Sequence, residues 1–136
     1  MKRLIIAYRG NRGVREPWWL STGGEKWIDH LAVKLKPNVN SKSLAIITSS
    51  ELPNCQAASR LGSHLDKYSF KMSSAVNGFD KQVWCLLLET LKQQEVDSVI
   101  VLSSNREIKR QSRYFYNELE GKKSVLIDSK CFMILF

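Results

Sequence analysis

Hydrophobic positions along the chain fall into runs of two kinds. Short unbroken runs stand at 4–7 (Leu4, Ile5, Ile6, Ala7), 44–47 (Leu44, Ala45, Ile46, Ile47) and 99–102 (Val99, Ile100, Val101, Leu102). Runs of this length and continuity predict parallel strands covered on both faces. Elsewhere the apolar residues recur at helical spacing. Thr22 and Glu25 stand at a capping-box interval, and Trp27, Ile28, Leu31 and Leu35 follow until Pro37 ends the pattern. Positions 52–65 predict a second helix with Cys55, Ala58, Leu61 and Leu65 inward, and 79–94 a third with Val83, Trp84, Leu87, Leu88, Thr90 and Leu91 on its inner side. A fourth puts Ile108, Ser112, Phe115 and Leu119 inward and stops at Gly121. Positions 68–72 alternate as a short edge strand, and 124–127 with 131–136 flank Asp128-Ser129-Lys130 as a terminal hairpin.

Strands alternating with helices predict an α/β fold. The expectation is a three-layer α/β/α sandwich with a mostly parallel central sheet and a C-terminal antiparallel hairpin. At 136 residues the chain is the size of one domain, read here as spanning 1–136.

Each of the runs at 4–7, 44–47 and 99–102 ends in a polar loop, and open α/β sheets place their ligand sites beyond the carboxyl ends of such strands. Tyr8, Arg9, Gly10, Asn11 and Arg12 follow the first run and suit an anion; Ser103, Ser104, Asn105 and Arg106 follow the third. Pro17, Trp18 and Trp19 form an aromatic cluster after the first loop, expected either to fold over that loop or the helix that follows or, as is commoner for such residues, to pack into the core.

Composition changes the picture in one respect. A formal net charge of +8 favours anionic partners without choosing among them. Arg106, Lys109, Arg110 and Arg113 make a basic stripe near Tyr114 and Tyr116, the feature a nucleic-acid-binding helix would need and a solvated face would share. Cys55, Cys85 and Cys131 are widely spaced and odd in number, against a disulfide framework or a zinc cluster and in keeping with the cytoplasm. No segment approaches the ~20 apolar residues of a membrane span. His30 and His64 have no partner at metal-ligand spacing, and no cofactor is expected. The apolar run at 131–136 is read as an edge strand able to pair with a second copy.

The order of motifs resembles the histidine phosphatase (phosphoglycerate mutase-like) superfamily, especially its short bacterial phosphohistidine phosphatases. Leu4-Ile5-Ile6-Ala7-Tyr8-Arg9-Gly10-Asn11 is similar to the opening strand and R-H-G motif, and Leu20-Ser21-Thr22-Gly23-Gly24 to the L-T-x-x-G that introduces the first helix. The segment from Ser49-Ser50-Glu51-Leu52-Pro53-Asn54 to Ser59 resembles S-S-x-L-x-R-A-x-x-T-A. Ser103-Ser104-Asn105-Arg106-Glu107-Ile108 resembles S-H-x-x-x-I.

The resemblance implies a phosphoryl site in which one histidine attacks phosphorus while a second histidine and two arginines hold the oxygens. In gapless register Tyr8 replaces the first arginine, Arg9 the nucleophilic histidine, Asn54 the second arginine and Ser104 the second histidine. A shift of one residue makes Arg9 the first arginine and puts Gly10 at the nucleophile. A guanidinium stays protonated and offers no lone pair for attack. Ser104 is the one substitute nucleophile at these positions, and no general base stands at a matching position to take its proton. Losing a nucleophile costs on the order of 10⁶ in kcat where a hydrolase has been dissected. The resulting expectation is a pseudophosphatase binding a phosphate-like anion or a phosphorylated protein through Tyr8, Arg9, Gly10, Asn11, Arg12, Asn54, Ser104 and Asn105. A divergent phosphatase rebuilt around Ser104, His30 or His64 is the enzyme alternative, and nucleic-acid binding by the basic stripe is the third.

Overall fold

A computed structural model describes residues 2–40, 42–65, 68–78, 80–106 and 108–136. In chain order the elements are β1 (Arg3–Tyr8), α1 (Thr22–Leu35), β2 (Leu44–Thr48), α2 (Leu52–Leu65), β3 (Ser69–Met72), α3 (Lys81–Lys92), β4 (Ser98–Ser103), α4 (Ile108–Glu118), β5 (Lys123–Asp128) and β6 (Cys131–Leu135). Short 3-10 turns lie at Lys36–Asn38 and Ser74–Asn77.

The strands form one six-stranded sheet in the order β3-β2-β4-β1-β6-β5. β3, β2, β4 and β1 are mutually parallel, and β6 runs antiparallel to both β1 and β5. The predicted α/β class, layers and terminal hairpin are all present. β6, however, pairs with β1 through Arg3↔Leu135 to Ala7↔Cys131 and with β5 on its other side. The expected pairing edge is therefore an interior strand, because an apolar run gains most where both faces are covered.

Alternate residues of each buried strand face opposite layers. Ile5, Ala7, Ile46, Ile100 and Leu102 meet Ile28, Leu31 and Leu35 of α1 and Ala58, Leu61 and Leu65 of α2. Leu4, Ile6, Ala45, Ile47, Val99 and Val101 meet Trp84, Leu87 and Leu91 of α3 and Ile108 and Phe115 of α4. The chain leaves β1 toward the α1 face and leaves its neighbour β4 toward the α4 face, which makes the gap above these two strands a topological switch point.

Details depart from the sequence reading where a polar contact outweighs periodicity. The N-cap of α1 is Ser21, one residue before Thr22; its hydroxyl accepts from the Gly24 N–H and donates to the Asn11 carbonyl. Asn54 is buried on α2 while Cys55 is only half-buried. Asp80 caps α3, and Phe79, expected to open it, lies outside the described residues. The left-handed residue that ends α4 is Glu120 (φ 52°), and Gly121 returns its N–H to the Tyr116 carbonyl. Trp18 and Trp19 stay out of the core: Trp18 is half-buried and Trp19 48% exposed. No helix among the described residues is long and apolar enough to cross a membrane.

Candidate functional site

The loop after β1 is folded back on itself rather than left free. Arg12 and Leu20 form an isolated antiparallel bridge, the Gly13 N–H donates to the Trp19 carbonyl, and the Ser21 N–H donates to the Asn11 carbonyl. Gly10 starts this turn at φ 98°, a conformation that favours glycine. A Cβ on Gly10 would meet the Gly24 carbonyl oxygen at 2.9 Å, and one on Gly24 would meet the Asn11 oxygen at 2.4 Å. Two facing glycines thus let the loop lie directly on the start of α1.

Behind the loop a chain of side-chain amides positions Arg9. Arg9 as a residue is 6% exposed; its Nε donates to Asn54 Oδ1 at 2.9 Å, and another of its guanidinium nitrogens donates to the Gly10 carbonyl. Asn54 is fully buried, and its Nδ2 faces the Leu102 carbonyl (3.2 Å), Thr48 Oγ1 (3.0 Å) and Asn77 Oδ1 (3.2 Å). A carbonyl can only accept, so Leu102 fixes which end of the amide points inward. Thr48 gives its own proton to the same carbonyl at 2.7 Å. Asn77 Oδ1 also accepts the Ser104 N–H (2.9 Å), and its Nδ2 donates to Ser49 Oγ (2.9 Å). The network ties the loops after β1, β2, β3 and β4 together.

All of Arg9's protein acceptors in this network are neutral. No carboxylate stands within ion-pair distance of it among the described residues, and burial pulls its pKa down. The group stays cationic, because an arginine in a protein is not deprotonated. A buried cation without a paired anion is costly to hold, and an anion delivered to it recovers part of that cost.

Above Arg9 lies an open cavity of about 660 Å³ lined by Tyr8, Arg9, Arg12, Trp18, Glu51, Ser104 and Arg106, with Gly13 and Val14 at its margin. The Tyr8 hydroxyl donates to Asn11 Oδ1 (2.9 Å), which also accepts from Arg106 (2.9 Å). Three cations surround the Tyr8 ring: Lys130 Nζ at 5.0 Å, Arg9 at 5.7 Å and Arg106 at 5.8 Å from its centroid. Arg12 stacks on Trp18 at 4.4 Å.

Tyr8, Arg9, Arg12 and Ser104 therefore come together at the cavity wall. Asn11 braces Tyr8 and Arg106, Asn54 supports Arg9 from behind, and Gly10 shapes the turn. Asn105 is buried, and its N–H donates to Ser103 Oγ at 3.0 Å. Glu107 of the same motif lies outside the described residues.

The fold matches that of several solved structures. SixA of Agrobacterium tumefaciens, described as a phosphohistidine phosphatase, superposes with a TM-score of 0.67 at 14% identity, over 88% of this chain and 79% of that one. The protein histidine phosphatase SixA complexed with tungstate gives 0.62 at 21% identity, over 74% of this chain and 68% of that one. A phosphoglycerate mutase from Plasmodium falciparum gives 0.60 at 17% identity, over 88% and 69%. The chain has the phosphoglycerate mutase-like fold of the histidine phosphatases. No family model matches the sequence, and no curated protein does.

Within this histidine-phosphatase fold, neither histidine of the chain lines the cleft. His30 Nε2 lies 2.8 Å from Asp128, which Lys34 also approaches at 3.0 Å; together they hold that carboxyl well below its usual range. His64 lies 2.9 Å from Asp29, which takes two hydrogen bonds from Arg60 and is lowered to about 2, chiefly by Arg60 and then by His64. Among the described residues no cluster of three metal-ligating side chains occurs.

Arg106 stands ahead of α4 and turns to the cleft, leaving Lys109, Arg110 and Arg113 as the exposed basic face. Sequence reasoning assigned Arg106 to that stripe, though its place just after β4 already marked it as a loop residue. It also passed over Glu51, Lys130 and Asn77, and named Trp18 as part of an aromatic cluster without giving it to the site. Asn77 was the hardest to find: its signal is the parallel direction of β3, whose following turn thereby reaches the same edge of the sheet.

Proposed function

We propose that this is a non-catalytic histidine-phosphatase-like protein that binds a phosphoryl group or similar anion in the cleft above β1 and β4. The observation that carries the reading is Arg9: a buried guanidinium held by neutral acceptors, with Arg12 and Arg106 beside it and neither histidine on the cleft wall. Donors of this kind bind phosphate oxygens without supplying a nucleophile. The tungstate bound to one fold relative is itself an oxyanion, in keeping with the same use here.

Ser104 carries the remaining chemical possibility on the wall. Its backbone N–H is committed to Asn77, and among the described residues Glu51 is the carboxylate lining the same cavity. His30 and His64, each engaged with an aspartate away from the cleft, lend the rebuilt-enzyme alternative little support. The test is hydrolysis of phosphohistidine protein and p-nitrophenyl phosphate by the purified chain beside Ser104→Ala. Turnover is expected to be absent, or equal in the two proteins. Turnover that exceeds the Ser104→Ala control would instead make the chain a phosphatase with a rebuilt site.

A further inference from the structure

The cationic cleft continues into a second cavity of about 730 Å³ that shares Arg12, Trp18 and Glu51 with it and adds Glu16, Pro17, Leu52 and Pro53. The chemistry changes across the shared wall. On one side stand guanidinium and hydroxyl groups; on the other are the Trp18 indole, two prolines and Leu52, which is 37% exposed. Arg12, stacked on Trp18, marks the boundary. Among the described residues the carboxylates on the apolar side belong to Glu16 and Glu51, so a second anionic group extending there would meet like charge, while an uncharged apolar group would not.

We propose that the ligand is a small organic monophosphoryl compound with an apolar body, its phosphoryl group over Arg9 and its body along Trp18, Pro17 and Leu52. This rests on the anion-binding reading above and goes beyond it by naming the ligand's second half. Cavities of this size suit a small organic molecule recognised by an apolar wall and a few convergent polar groups. The charge arrangement selects one phosphoryl group rather than a polyphosphate or a nucleic-acid strand.

Methylphosphonate and benzylphosphonate carry the same charged head, resist hydrolysis, and differ in the apolar body alone, so titration calorimetry with both isolates the second cavity. Benzylphosphonate is expected to bind at least about tenfold more tightly, the scale of burying one aromatic ring. Leu52→Ser should reduce that ratio severalfold while leaving the methylphosphonate Kd unchanged, which also shows that the variant folds; Trp18→Ala should erase it. Equal affinity for the two phosphonates in the unmutated chain overturns the inference and leaves the anion site standing. So does a ratio untouched by both substitutions, or pyrophosphate binding more tightly than benzylphosphonate. Binding of neither phosphonate overturns the anion reading itself and this one with it.

Discussion

Replacing Asn54 by alanine removes the acceptor of Arg9 Nε at a site with 0% exposure, where solvent cannot stand in for it. A buried donor left unpaired costs about 1–3 kcal/mol. Asn54→Ala is therefore expected to lower the unfolding free energy read from urea titration by that margin and to weaken phosphate binding, because Arg9 loses its fixed direction. Unchanged stability would show that the amide chain is incidental. Asp29 behaves differently with pH. Arg60 and His64 depress its carboxyl pKa to about 2, below the ordinary value near 3.9, so the ionised form is favoured in the folded state. The stability this provides is present above about pH 4 and is lost as pH falls through about 2. Asp29→Asn should flatten that part of the acid-unfolding curve, by a modest amount because the group is 39% exposed and screened by solvent. Of these groups, Arg9 and Asn54 were legible from motif position. Their contact was not, since it joins residues 45 apart through the fold.

At the level of elements, the loop after β1 depends on its approach to the amino end of α1. A methyl group on Gly24 would lie 2.4 Å from the Asn11 carbonyl oxygen, backbone against backbone, and neither side can yield by rotating a side chain. Gly24→Ala is expected to destabilise the fold by about 1–3 kcal/mol, as overpacking does, and to displace Asn11 and Arg12 from the cleft. A thermal melt together with phosphate titration reads both effects; a neutral substitution would mean the loop is held elsewhere. The strands and helices were visible in advance because continuous apolar runs and 3.6-residue periodicity report burial directly. Less visible were the features set by polar contacts: Ser21 rather than Thr22 as cap, Arg106 outside the helix stripe, and Trp18 stacked on Arg12 instead of in the core. Hydrophobic pattern also misjudged β6, since an apolar terminal run reads alike whether it ends a sheet or lies inside one.

Across the whole molecule, a charge of +8 leaves two positive regions with different consequences. The cleft gathers Arg9, Arg12 and Arg106 around a single small volume, whereas Lys109, Arg110 and Arg113 lie open on α4. Nucleic acid held by the latter should bind weakly and lose affinity steeply with salt, with a log-log slope of roughly −2 to −3 for three phosphate contacts, and Arg9→Met should leave it unaffected. Anisotropy titrations at several salt concentrations test this; tight, salt-tolerant binding of an oligonucleotide would shift the functional surface to α4. The fold class followed from the order of strands and helices, and the resemblance in motif order led to the same architecture. The likeness in fold does not by itself bring the chemistry with it, since in gapless register Tyr8, Arg9, Asn54 and Ser104 stand where the resemblance implies two arginines and two histidines.

Equilibrium binding of tungstate or phosphate to the chain and to Arg9→Met tests the central claim most directly. Saturable binding by the chain, reduced at least about tenfold in a folded Arg9→Met, is the predicted result, since one charge-assisted contact is worth about 1.5–3 kcal/mol. Equal binding by both proteins, or none by either, would contradict the assignment of this cleft as an anion receptor built around Arg9.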